Sequence, residues 1–140
     1  MIWFTLKDMS RHFEIGYSTM RRYNSSGNTL DKRIVDILML TYFVIQTKLT
    51  KNDLEHLKHF FKKNRSIREE IKTEETIQLL NERYWQIDLE ALQIAKEFYL
   101  FNLNKEDLQA IYQIKKSGGR KWIIKRFLII WKNKVLQNKR

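Results

Sequence analysis

Residues 4–23, FTLKDMSRHFEIGYSTMRRY, decide how the rest of the chain is read. Leu6, Met9 and Phe13 recur at helical spacing and give a first short helix one apolar face. Ser10 is small where a second helix must cross closely. Glu14-Ile15-Gly16 interrupts the pattern, with Ile15 as an apolar plug and Gly16 as the residue able to take an unusual backbone angle. The pattern restarts at Tyr17. Met20 and Tyr23 then point inward, and Ser18, Thr19, Arg21 and Arg22 point outward. The stretch reads as a helix-turn-helix whose second helix exposes hydroxyls, an aromatic ring and two arginines, a shape and chemistry that suit a DNA major groove.

The chain has 140 residues, 43% of them apolar, enough for one domain with a substantial core or two small units. It contains no cysteine, which excludes disulfides, thiolate metal sites and a cysteine nucleophile and fits a reducing cytoplasm. With no proline and four glycines, long helices are expected and turns are few. The first residues lack the tripartite pattern of a secretory signal, and no apolar run reaches the roughly 18 residues of a membrane-spanning helix. A cytoplasmic location is therefore expected.

The net charge of +11 is unevenly distributed. Residues 1–70 carry 13 Lys/Arg against 8 Asp/Glu, residues 71–101 carry 3 against 6, and residues 102–140 carry 11 against 2. Two basic ends around an acidic middle favour a polyanionic partner, because each cation placed on a phosphate releases a counterion.

Beyond the opening stretch the pattern is helical throughout, and the expected fold class is all-α. Its segments are a head over 1–30, a supporting helix pair over 31–66 and a third region over 67–140. Asn24–Asn28 reads as a polar turn, with Thr29 or Asp31 capping the next helix. Ile34, Ile37, Leu38, Met39, Leu40, Phe43, Val44 and Ile45 make that helix apolar on more than one side, which marks it as central. Thr50 and Asp53 read as a new capped start, with Leu54, Leu57, Phe60 and Phe61 as the buried face and Lys62–Arg65 as the close. A long helix over 67–101 follows. Ile77, Leu80, Tyr84, Ile87, Ala91, Ile94, Phe98 and Phe101 alternate three and four apart, a heptad seam that fits a bundle helix within one protomer or, as the preferred reading, the dimerisation helix of a homodimer. Trp85, Leu89, Leu92, Tyr99 and Leu100 widen its apolar surface. Leu103–Leu108 repeats the start seen at Leu49–Leu54. After Ser117-Gly118-Gly119, a basic and aromatic helix is expected over 121–135.

The opening stretch resembles the DNA-reading head of the MerR family of transcription regulators, a head shared by excisionases and chromosome-anchoring proteins. Phe4-Thr5-Leu6 corresponds to the family's aromatic-threonine-aliphatic start, and Asp8-Met9-Ser10-Arg11 to its acidic-aliphatic-small-arginine segment. Ile15 corresponds to the aliphatic plug, and Thr19-Met20-Arg21-Arg22-Tyr23 to its recognition helix. The heptad stretch is similar to the family's dimer coiled coil. Two departures stand out: Glu14 occupies a position that is usually glycine, and the segment between Tyr23 and Asp31 is too short for the usual wing. The resemblance implies that Tyr17, Ser18, Thr19, Arg21 and Arg22 face the groove, with Arg21 as the leading base or phosphate contact. It implies that Tyr23 packs its ring and offers its hydroxyl to a phosphate. Lys7 and Arg11 would lie over the backbone, and Lys32 and Arg33 would replace the wing.

Other constellations are weaker. His56 and His59 lie three apart on a helix, but no third ligand stands at a useful spacing, so no metal or other cofactor is expected. Glu69-Glu70 and Glu74-Glu75 read as helix-start acids and solvated faces rather than paired catalytic carboxylates, and a non-enzymatic protein is expected. Lys115, Lys116, Arg120, Lys121, Lys125 and Arg126 form a candidate second basic surface. That region also admits a core helix with snorkelling lysines or a membrane-surface helix, of which a core helix with phosphate contacts is preferred. The leading expectation is a double-stranded DNA-binding dimer, either a transcriptional regulator or an accessory protein of a plasmid, phage or transposon. The rival is a protein-interaction module, such as an inhibitor of a nucleic-acid-binding enzyme, that uses the same head as a scaffold.

Overall fold

A computed structural model describes residues 5–59, 61–63 and 65–116. Among these, the chain is all-α, with seven helices and no strand: α1 Leu6–Phe13, α2 Tyr17–Ser25, α3 Thr29–Thr47, α4 Lys51–Leu57, α5 Ile67–Arg83, α6 Leu89–Phe101 and α7 Lys105–Lys116. No described helix is long and apolar enough to cross a membrane. A first compact unit extends to Asn102, and a second begins at Leu103.

Within the first unit α3 is central, as its all-round apolar sequence predicts. It packs against α6, α2, α5 and α1, and α6 also packs against α5 and α4. Ile34, Ile37, Leu38 and Phe43 of α3 are sealed from solvent, as are Leu80 of α5 and Leu92, Ile94 and Phe98 of α6. Burial of such side chains contributes roughly 1.5–3 kcal/mol each before entropy is charged against it.

Helix starts follow the local sequence. Thr5 with Asp8 and Thr50 with Asp53 each form a reciprocal capping box. Asn104 and Asp107 repeat that geometry at α7, where the Asp107 amide donates to Asn104 Oδ1 at 2.9 Å and the Asn104 amide donates to Asp107 Oδ2 at 2.8 Å. The likeness of residues 49–54 and 103–108 is thus a repeated way of starting a helix. The cap of α3 is Asn28, not Thr29 or Asp31; its side chain accepts from the Leu30 amide at 2.8 Å. α4 ends at Leu57, earlier than its apolar pattern predicts, although Phe61 is still buried. Phe60 lies outside the described residues.

The expected continuous helix over 67–101 is two helices. α5 ends at Arg83, residues 84–88 turn the chain, and Asp88 caps α6 by accepting from the Ala91 amide at 3.2 Å. The heptad phase survives because α5 and α6 both lay their apolar stripes on α3. Ile77, Leu80, Ile87, Ala91, Ile94, Phe98 and Phe101 are buried within a single chain, and Tyr84 is half-buried. The side chains expected to form a seam with a second copy are therefore occupied as the core of one.

Candidate nucleic-acid interface

α1 and α2 are joined by Glu14-Ile15-Gly16. Ile15 is buried, as its role of plug requires. Ser10 does more than leave room: its hydroxyl donates to the Ile15 carbonyl, and the Ile15 amide donates to the Ser10 carbonyl at 3.1 Å. Glu14, not Gly16, takes the left-handed conformation, with φ 57°, while Gly16 has φ −53°. A β-carbon in that region costs about 1–2 kcal/mol. Glu14→Gly should therefore raise stability by up to about 1 kcal/mol once the greater freedom of glycine in the unfolded chain is subtracted; urea unfolding checks this, and a loss of stability would refute it.

Met20 and Tyr23 are buried and fasten α2 to the body, while Tyr17, Ser18, Arg21 and Arg22 are exposed and Thr19 is half-buried. Two cations from different helices converge on one ring. Lys7 Nζ of α1 and the Arg21 guanidinium of α2 each lie 5.9 Å from the centre of the Tyr17 ring. Such contacts are worth roughly 0.5–1 kcal/mol at exposed sites, and here they hold two positive charges beside an exposed phenol. α2 contains no carboxylate, and its N-cap Gly16 supplies no side-chain cap to the first-turn amides. Arg11 is exposed on α1, beside Asp8, whose carboxyl is held below the usual range by the backbone and side-chain hydrogen bonds of Thr5 and then by the Arg11 charge. Lys32 is also exposed, near Asp36, whose carboxyl is pushed up by burial against the lowering pull of Lys32.

Two expected contacts are redirected inward. Arg33 is buried, and its Nε donates to Glu69 Oε1 of α5 at 3.1 Å, so it cannot stand in for a wing. The Tyr23 hydroxyl is engaged inside the fold rather than held out to a phosphate. It lies 2.9 Å from the Tyr84 hydroxyl and accepts from Arg83 Nη1 at 3.0 Å. Burial, and then the bond to Tyr23, push the Tyr84 phenol up to about 12, so Tyr84 keeps its proton at neutral pH. No wing separates α2 from α3; Ser26, Gly27 and Asn28 connect them, with Gly27 left-handed at φ 73°.

Arg83 is the residue that sequence reasoning missed. It lies 60 positions from Tyr23, and only the turn between α5 and α6 brings it there. Gln86 of the same turn donates from Nε2 to the Phe13 carbonyl at 2.8 Å and so closes the end of α1. Trp85 between them, expected to widen a buried face, is 82% exposed.

Of the second basic surface, Lys116 is exposed at the end of α7 and lies 6.0 Å from the centre of the Tyr112 ring, and Lys115 is half-buried. Arg120, Lys121, Lys125 and Arg126, with the expected helix over 121–135, lie outside the described residues. Among the described residues no group of three histidine, cysteine or carboxylate side chains could hold a metal ion. A cleft of about 230 Å³ lined by His12, Phe13, Ile45, Gln86, Ile87 and Asp88 falls below the range of roughly 300–1,000 Å³ usual for small-molecule sites.

No family model, curated protein or solved structure matches this chain.

Proposed function

We propose that this chain is a non-enzymatic protein that binds double-stranded DNA in a sequence-directed way, with α2 entering the major groove. Its role would be that of a transcriptional regulator or a mobile-element accessory protein, in keeping with the resemblance of its opening residues to the MerR-like head. One observation carries the reading: an acid-free helix is anchored by Met20 and Tyr23 and turns Tyr17, Ser18, Arg21 and Arg22 to solvent, with Lys7 of the preceding helix drawn to the same ring as Arg21. Hydroxyls and arginines in that position can reach base edges and phosphates together. The surrounding lysines add affinity without choice of sequence.

Selection from a random-sequence duplex pool with the purified protein, repeated across salt concentrations, tests this. Enrichment of one sequence is expected, and an inverted repeat would indicate two bound copies. Arg21→Ala should lose about 1–3 kcal/mol of discrimination at one base pair if it reads guanine. No duplex binding at low salt would overturn the proposal and leave the protein-interaction reading. Binding without enrichment would remove its sequence-directed part.

A further inference from the structure

We propose that the corner between α5 and α6, Arg83-Tyr84-Trp85, is a second nucleic-acid contact beside α2, with the Trp85 indole packing on a base face and Arg83 meeting a phosphate. The inference rests on the reading of α2 as the groove-facing helix.

Three observations carry it. First, the corner is fastened to both helices of the head. Tyr84 and Arg83 bond the Tyr23 hydroxyl of α2 at 2.9 and 3.0 Å, and Gln86 bonds the last carbonyl of α1 at 2.8 Å. The backbone of Trp85 lies between these anchors in sequence, so the place from which its side chain extends is fixed relative to α2.

Second, an arginine of α2 and one of the corner meet at a single ring, although the exposed Glu82 directly precedes the second of them. The Arg22 guanidinium lies 5.8 Å from the centre of the Tyr23 ring, and Arg83 donates to the hydroxyl of that ring. One tyrosine thus carries an exposed arginine from each element. Asp88, the nearest carboxylate that follows in sequence, is turned to the start of α6, where it accepts from the Ala91 amide.

Third, Trp85 is 82% exposed, against 49% for Leu89 at the start of α6, while Tyr84 beside it in sequence is half-buried and Ile87 is buried. A lone exposed leucine needs no account, but an indole two residues from Arg83, in a corner fastened at both ends, offers a flat apolar face to a flat apolar ligand. In a duplex such a face is reached by wedging the ring between base steps, at the cost of partly unstacking them. Apolar side chains that wedge between base steps, and aromatic rings that stack on bases, supply binding energy independent of charge.

The test titrates the full chain and its variants with the random-sequence duplex pool over a range of salt. Trp85→Ala should weaken binding by about 5- to 100-fold and leave the slope of affinity against salt unchanged, because an indole releases no counterion. Trp85→Phe should retain most of the affinity. Arg83→Gln should lower the slope by about one contact, and Arg83→Lys should keep it. Far-ultraviolet circular dichroism and the unfolding midpoint of Trp85→Ala should match those of the parent. If the parent binds and Arg21→Ala weakens it while Trp85→Ala changes affinity less than about fivefold, the second contact is overturned and α2 keeps its role. If the parent binds no duplex, the reading of α2 falls and this inference falls with it.

Discussion

Glu69→Ala is expected to cost the fold about 3 kcal/mol, the lower end of the range for breaking a largely buried ion pair. Glu69 Oε1 accepts from Arg33 Nε at 3.1 Å and from the Tyr99 hydroxyl at 3.2 Å, and so joins α5 to α3 and α6. The Arg33 side chain is 9% exposed and that of Glu69 24%. Removing the carboxylate strands a guanidinium in the core, where its desolvation is no longer offset. A second arginine closes the group from outside. Arg65 Nε donates to the Tyr99 carbonyl at 3.2 Å, and its guanidinium lies 4.3 Å from the centre of the Tyr99 ring. The double change Arg33→Met with Glu69→Leu should recover most of the loss, because it leaves no charge to desolvate. Equal losses in the single and double variants would show that the ion pair is not what Glu69 supplies.

The same carboxylate sets a pH dependence. The Arg33 hydrogen bond, opposed by burial and aided by the Arg33 charge, holds the Glu69 carboxyl below its ordinary value. A carboxyl depressed on folding stabilises the native state above its unfolded pKa of about 4.3. That contribution drains away as pH falls through the lower folded value. Denaturation midpoints measured between neutral pH and pH 3 should fall more steeply for the parent than for Glu69→Gln.

Legibility differed from residue to residue, and the reasons are physical. The caps at Thr50 and Asn104, the inward Met9, Met20 and Ile15 and the central α3 could be read because each is set by neighbours within four residues in sequence. Arg33 could not, since an arginine at the start of a helix looks the same whether it faces solvent or a glutamate 36 positions away. Neither could the corner at residues 84–88. It contains no glycine or proline, and what ends the helix there is a set of side-chain bonds to α1 and α2, beyond the reach of periodicity. One local signal is present in the sequence: Asp88 followed by Leu89, Glu90 and Ala91 is a helix start. The heptad count ran across it because an antiparallel hairpin that packs on one central helix preserves the apolar phase on both arms. In the candidate site, the exposed face of α2 was legible from spacing, whereas the partnership of Lys7 with Tyr17 and the approach of Arg83 required the fold.

Dilution of the parent and of Phe98→Ala distinguishes the two meanings that a heptad seam can have. Phe98 lies in α6, is 1% exposed, and packs its ring 6.4 Å from that of Phe101 in a helix laid on α3. Truncation should cost about 3–5 kcal/mol through lost transfer energy and the cavity left behind. A core within one chain and a seam between two copies would both suffer from that change, but they respond differently to concentration. If Phe98 belongs to one chain's core, both parent and variant should unfold at a midpoint that does not move over a hundredfold dilution. If the seam joins two copies, dissociation is linked to unfolding and the parent midpoint must fall on dilution. The burial of Ile77, Leu80, Ile94 and Phe98 in a single chain favours the first outcome. A concentration-dependent midpoint would show that the folded chain self-associates, and loss of that dependence in Phe98→Ala would assign the contact to this stripe. Should two copies meet on an inverted repeat, a stable midpoint on dilution would assign their contact to a surface other than this stripe.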